Sequence, residues 1–334
     1  MQRFVIVLIL IIGTGLSILS CQVNQAVTAT PIRLNQTVCF EADLDPVAFM
    51  PDHPRMILKG STGVQIYNLE MRKEENFIKS AATLQDGPTV ALSPEDGETL
   101  AWALIDNTIQ LIRIYDGKVL HALIGHTDTI TKLRFSPSGD RLFSAAHDGW
   151  VRIWNKDGKQ VNAFQPGNGE VLGIGVSSDG AILATIPSDG PVTLWDTKDL
   201  HKLKELGGTS GYDTSDVAFS MDGRYIAADL ASGLSVWDTT KQKRLWDGIN
   251  SMAFAFSPKE NRIAYSDMAD GNNIMLRSLD GKQQLNKLES HQGPVFALIF
   301  SPDGSLLASA DGVEIRIWQV EDGKLLYIGK AVCP

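Results

Sequence analysis

Short runs of alternating apolar and polar residues recur along most of the chain. An apolar, strand-like stretch closing on a Phe-Ser-Pro-like step appears at Phe49-Met50-Pro51, Leu92-Ser93-Pro94, Phe135-Ser136-Pro137, Val176-Ser177-Ser178, Phe219-Ser220-Met221, Phe256-Ser257-Pro258 and Phe300-Ser301-Pro302, with spacings of 43, 43, 41, 43, 37 and 44 residues. Self-similarity at such a period marks a repeat architecture. The third copy reads most clearly, with strands predicted over residues 130–135, 141–145, 150–154 and 160–164. Tight turns join these strands. Glycine returns in the first turn at Gly97, Gly139, Gly180, Gly223 and Gly304, and Asp-Gly in the third at Asp116, Asp157, Asp280 and Asp322. Hairpin turns often need positive φ, which glycine adopts without steric cost.

One copy is a four-stranded antiparallel sheet that cannot cover its own apolar faces, so neighbouring sheets must stack. Radial stacking of seven copies predicts an all-β chain, a seven-bladed β-propeller of four-stranded antiparallel blades spanning residues 44–334. The third strand ends in Trp154, Trp195, Trp237 and Trp318, with Tyr67 in the first copy. Radial sheets diverge outward, and large aromatics suit the wedge between them, so packing is the reading of these rings. Residues 32–40 read as extended, with Ile32, Leu34 and Val38 alternating, and are expected to pair along the outer edge of the last blade. An edge left bare would invite aggregation.

Gly125-His126, the Phe-Ser-Pro steps, Trp195-Asp196, Trp237-Asp238, Ile153-Trp154 and Ile317-Trp318 together resemble the WD-repeat family over nearly the whole chain beyond residue 43. The resemblance implies a closed propeller that serves as a platform for other molecules and has no catalytic machinery. It also implies a buried network of His126, Ser144, Asp148 and Trp154 in the third blade. Ile112 and Arg277 stand where the family prefers Trp, so blades two and six are expected to be irregular; Ser290-His291 matches Gly-His only in part, so the network is expected mainly in the third blade. In family members the loops between blades and those between second and third strands share one face. On that basis His147, Trp150, Asp189, Asp267, Asp270, His291 and Asp311 are candidates for partner contact. Two readings of Trp150 stand: packing into the adjacent blade, or an exposed aromatic beside His147 and Asp148 that forms a binding hot spot.

The formal net charge of -9, with no run of Lys or Arg, argues against nucleic acid and against attraction to anionic lipid. At the start, Arg3 precedes an apolar run over residues 4–19, which reads as a secretory signal over residues 1–20. Ile18-Leu19-Ser20-Cys21 resembles a bacterial lipobox, departing from it at Leu19; Cys21 would then carry lipid. Residues 21–43 would form a tether and possible closing strand, outside the cytoplasm and anchored in a membrane. Plain secretion or an uncleaved anchor are the alternatives. Cys39 and Cys333 flank the repeat array. They read either as a disulfide closing the ring or as two buried thiols.

No nucleophile elbow, P-loop or zinc-spaced histidine pair occurs, and Gly173-Ile174-Gly175 lacks the third glycine of a dinucleotide fingerprint. Close packing near the axis explains those glycines. The expectation is a non-catalytic, monomeric scaffold for a protein or peptide, with no cofactor and no metal site. A ligand or glycan sensor contacting residues 267–272, and a propeller hydrolase, are the competing classes.

Overall fold

The computed structural model describes residues 38–39, 45–50, 55–60, 63–71, 73–79, 89–208, 216–241, 243–279, 284–289 and 291–330. Cys21, Cys333 and residues 1–20 lie outside these, as does the side chain of Cys39. The described residues form a seven-bladed β-propeller, with each blade a four-stranded antiparallel sheet. Blade 3 shows the unit: inner strand Ile130–Phe135, then Arg141–Ala146, Val151–Asn155 and outer strand Gln160–Phe164. Inner strands of successive blades touch all the way round, and that of blade 1 (Asp45–Phe49) meets that of blade 7 (Ala297–Phe300).

The recurrent serine locks the first turn. Ser136 Oγ accepts from Arg141 N at 3.0 Å and donates to Asp140 at 2.7 Å. Ser177 with Asp179, Ser220 with Asp222, and Ser301 with Asp303 repeat the donation at 2.5, 2.6 and 2.6 Å. Such side-chain bonds fix turn geometry. Gly158 in the third turn has φ +75°, the conformation its Asp-Gly step predicts.

The wedges between blades are apolar, and the two irregular blades fill theirs differently. In blade 2 the tryptophan moves to the second strand: Trp102, 1% exposed, packs with Met50, Ile57 and Ile66 of blade 1 beside Ile112. In blade 6, Arg277 lies over the Trp246 ring of blade 5 at 4.7 Å, and Trp246 sits 6.4 Å from Tyr265. A cation on an aromatic face retains much of the packing a tryptophan would give. Both blades keep four strands.

The ring closes between blades 7 and 1. Tyr327 donates its hydroxyl to Tyr67 at 3.0 Å inside a buried cluster that joins Phe49, Met56 and Leu69 to Ile315 and Ile317. Val38–Cys39 adds a fifth, parallel strand outside Leu325–Lys330 of blade 7, pairing Val38 with Gly329 and Cys39 with Lys330. This is the edge to which the extended segment was assigned from sequence. At Gly175 a Cβ would come within 2.4 Å of the Val217 carbonyl of blade 5, so close packing of inner strands requires glycine there. No helix among the described residues is long and apolar enough to cross a membrane.

Candidate binding face

The geometry of each blade gathers two sets of loops at one end. In blade 3, Ile130 pairs with Ala146 and Val151 with Phe164, so residues 124–129, 147–150 and 165–170 share that end. Thr131 Oγ1 donates to the Val171 carbonyl at 2.6 Å, tying the same ends of blades 3 and 4. Ile105, Ile124, Met252, Phe296 and Val313 lie in these loops or the first residues beyond them and are 66, 77, 43, 51 and 62% exposed. Exposed apolar residues scattered singly are ordinary, and what sets these five apart is that they share the loop face. Sequence reading placed Val313 at the end of a loop on this face and missed the other four, because singly exposed apolar residues carry no motif.

Beneath this face the structure brings His126, Ser144, Asp148 and Trp154 together. Trp154 Nε1 donates to Ser144 Oγ at 2.9 Å, and Ser144 Oγ meets His126 Nε2 at 2.7 Å. His126 Nδ1 meets Asp148 Oδ2 at 2.9 Å. A neutral imidazole satisfies the chain: it donates from Nδ1 to the carboxylate and accepts the serine hydroxyl at Nε2. Burial, against the pull of Asp148, lowers the His126 pKa below 6.5 and favours that neutral form. Burial opposes the charge of Asp148, but His126 and the amides of Thr127 and Trp150, both at 3.0 Å, hold its pKa below 3.8.

The order Ser–His–Asp is that of a nucleophilic triad, yet Ser144 is 0% exposed and its oxygen is occupied by the indole. An acyl-transfer nucleophile needs substrate contact and an oxyanion site beside it. Here the hydroxyl is a core hydrogen-bond junction that fixes the loop carrying His126 and the turn carrying Asp148.

Blade 7 builds a second such network. His291 Nε2 meets Ser309 Oγ at 2.7 Å, Trp318 Nε1 donates to Ser309 at 2.9 Å, and His291 Nδ1 faces Asp311 Oδ2 at 3.2 Å without hydrogen-bond alignment. This corrects the placing of His291 and Asp311 among partner contacts. Their side chains are 0 and 6% exposed, drawn inward by the serine and indole. In blade 4, Thr185 receives Trp195 Nε1 at 2.9 Å with no histidine in the chain of bonds.

The other loop residues divide by engagement. Asp189 is exposed and accepts Asn168 N at 3.2 Å. Asp267 caps the short helix Met268–Asp270, and Asp270 pairs at 2.8 Å with Lys287 on the outer strand Gln284–Leu288 of blade 6. His147 is half-buried. Trp150 is half-buried too, with the Arg152 guanidinium 5.6 Å from its ring centre. Among the described residues one grouping has metal-ligand types, Asp196, Asp199 and His201 in a turn of blade 4, and there His201 and Asp199 already bond each other at 2.5 Å.

A seven-bladed ring with two His–Ser–Trp networks resembles propellers of the WD-repeat type. Residues 117–155 and 282–319 match the family described as WD domain, G-beta repeat; each match runs from an outer strand through the third strand of the following blade, the two that carry the networks. Coronin-7 of Bos taurus is 35% identical over 199 residues, 55% of this chain and 21% of that protein. The COMPASS component SWD3 of Saccharomyces cerevisiae is 26% identical over 199 residues, 56% of this chain and 62% of that one. Pre-mRNA-processing factor 17 of Mus musculus is 26% identical over 266 residues, 72% of this chain and 44% of that one. These matches support placing the chain with the WD40-repeat proteins, and each covers less than two thirds of the relative's length. The three relatives are eukaryotic.

Proposed function

We propose that the chain is a non-catalytic WD-repeat scaffold, held outside the cytoplasm by a lipid on Cys21, that presents its loop face to a protein or peptide. WD-repeat propellers are typically interaction scaffolds, and SWD3 is by name a component of a larger assembly. The observation that carries the reading is the set of exposed apolar side chains on one loop face, with Trp150 among the loops of blade 3. The anchor and its compartment rest on residues 1–21 alone.

The test is crosslinking mass spectrometry on cells expressing the full chain, compared with Trp150→Ala and Ile124→Asp variants that keep the wild-type melting temperature. Crosslinks from loop residues that disappear in the variants support the reading. Crosslinks that persist, or that map to the outer strands, sink it. Cys21→Ser should release the protein from membranes, and retention would favour an uncleaved anchor.

A further inference from the structure

The inner strands hold a charged cluster that neither the repeat nor the networks explain. Facing the third residue of each second strand, the inner strands place Ala48, Ala91, Gly175, Ala218 and Ala255, with Ile299 in blade 7. Blade 3 alone places Arg134 there, and Lys132 two residues before it. Arg134 reaches past the glycine-bearing strand of blade 4 to blade 5, where Nη2 donates to both oxygens of Asp216 at 2.9 Å. Lys132 Nζ stands 3.9 Å from the same carboxylate.

Blade 5 sets two carboxylates against each other. Asp229 N donates to the Asp216 carbonyl at 2.9 Å, so the two residues sit opposite on paired strands and share a face. Like charges in that relation repel. The groups facing Asp229 are Asp216 on its own blade and Lys132 on blade 3; Lys59 of blade 1 and Arg134 act on Lys132 in turn. The side chains of Lys132, Arg134 and Asp216 are 21, 35 and 36% exposed, so water and small groups reach the cluster while much of it is dry. Asp229 directly precedes the loop-face turn at Leu230, which puts the cluster toward that face.

We propose that this cluster is a subsite for one carboxylate side chain of an acidic peptide partner, filled together with a proton that Asp229 takes from solvent. The inference rests on the loop-face reading and names the chemistry it recognises. With Asp229 neutral, Lys132 and Arg134 oppose a single carboxylate, leaving one positive charge in a partly desolvated place, which an anion compensates. Arg134 keeps Asp216 through its two bonds, and Lys132, held only loosely by Asp216, turns to the incoming carboxylate. Burial and then Asp216 push Asp229 up to about 6, so the proton is available in mildly acid solution. Burial lowers the Lys132 pKa, and an added anion relieves that penalty.

Calorimetry of the full chain with a capped tetraglutamate peptide tests this at about pH 5.5 and about pH 7.5, in two buffers of different ionisation enthalpy. The glutamate side chains stay ionised at both. Binding on the order of tenfold tighter at the lower pH is expected, with uptake of about a quarter of a proton there and of about one proton at the higher pH. Asp229→Asn should bind equally at both pH values without proton uptake. Lys132→Met should lose binding while Lys132→Arg keeps it, with each variant still melting as a cooperatively folded propeller. Equal wild-type affinity at both pH values, equal binding of a tetraglutamine peptide or of acetate, or undiminished binding by Lys132→Met would overturn the proposal. Failure of the loop-face reading registers separately, as unchanged crosslinks in the Trp150→Ala chain.

Discussion

Replacing Asp229 by Asn is expected to make the propeller more stable at neutral pH, although it removes a charged group facing a lysine. In the folded ring this carboxyl titrates near 6, raised from 3.8 by burial and then by Asp216. The folded state therefore binds the proton more tightly than the unfolded chain. The resulting penalty is absent well below pH 3.8, builds as pH rises from 3.8 to 6, and is complete above that. At about 1.4 kcal/mol per pH unit it has a ceiling of about 3 kcal/mol. Solvent entering the cluster screens part of this, and a gain of about 1–2 kcal/mol is expected for the asparagine variant. Urea unfolding at about pH 7.5 should show that gain, and at about pH 4.5 it should shrink to about a third. A variant less stable than wild type at neutral pH, or one with the same gain at both, would refute the account of the cluster.

Ser144→Ala leaves the Trp154 N–H and the His126 ring without their junction and should cost about 1–3 kcal/mol in urea unfolding. Serine-hydrolase probes should leave Ser144 unlabelled in the folded chain, and labelling that this substitution abolishes would reopen the enzyme class. Gly175→Ala forces a methyl against the Val217 carbonyl and should lower stability by about 1–3 kcal/mol or more, read by calorimetric melting. Burial holds the pKa of His126 and of His291 below 6.5, so the unfolded chain takes up their protons first and stability falls as pH drops through 6.5. A His126→Asn, His291→Asn double variant should flatten that slope, whose sign is opposite to that of Asp229.

The repeat, its turns and the blade 3 network were legible because they depend on spacing within one copy. Seven first turns with Ser, Pro or Gly at a fixed offset point to one sheet repeated, whichever residue is lost in a given copy. The second network was half legible. His291 follows Ser290 where His126 follows Gly125, and the missing glycine led to a surface assignment for a side chain that the core holds. What spans blades was not legible. Trp102 replaces a third-strand tryptophan from the second strand, and Arg277 borrows the Trp246 ring from blade 5. The Arg134–Asp216 pair joins residues 82 positions apart across an intervening blade. Each depends on the closed ring's register, and the pattern within one repeat carries no trace of it.

The closure at Tyr67 and Tyr327 ties residues 260 positions apart. During synthesis, blade 1 leaves the ribosome long before its neighbour on that side exists, so its apolar flank of Phe49, Met56 and Leu69 waits for the last blade to arrive. Contacts of such separation come late and slow folding. A nascent chain stalled before blade 7 would present that flank as a chaperone-binding or aggregating surface. The residues of blade 7 thus govern when that flank ceases to be vulnerable.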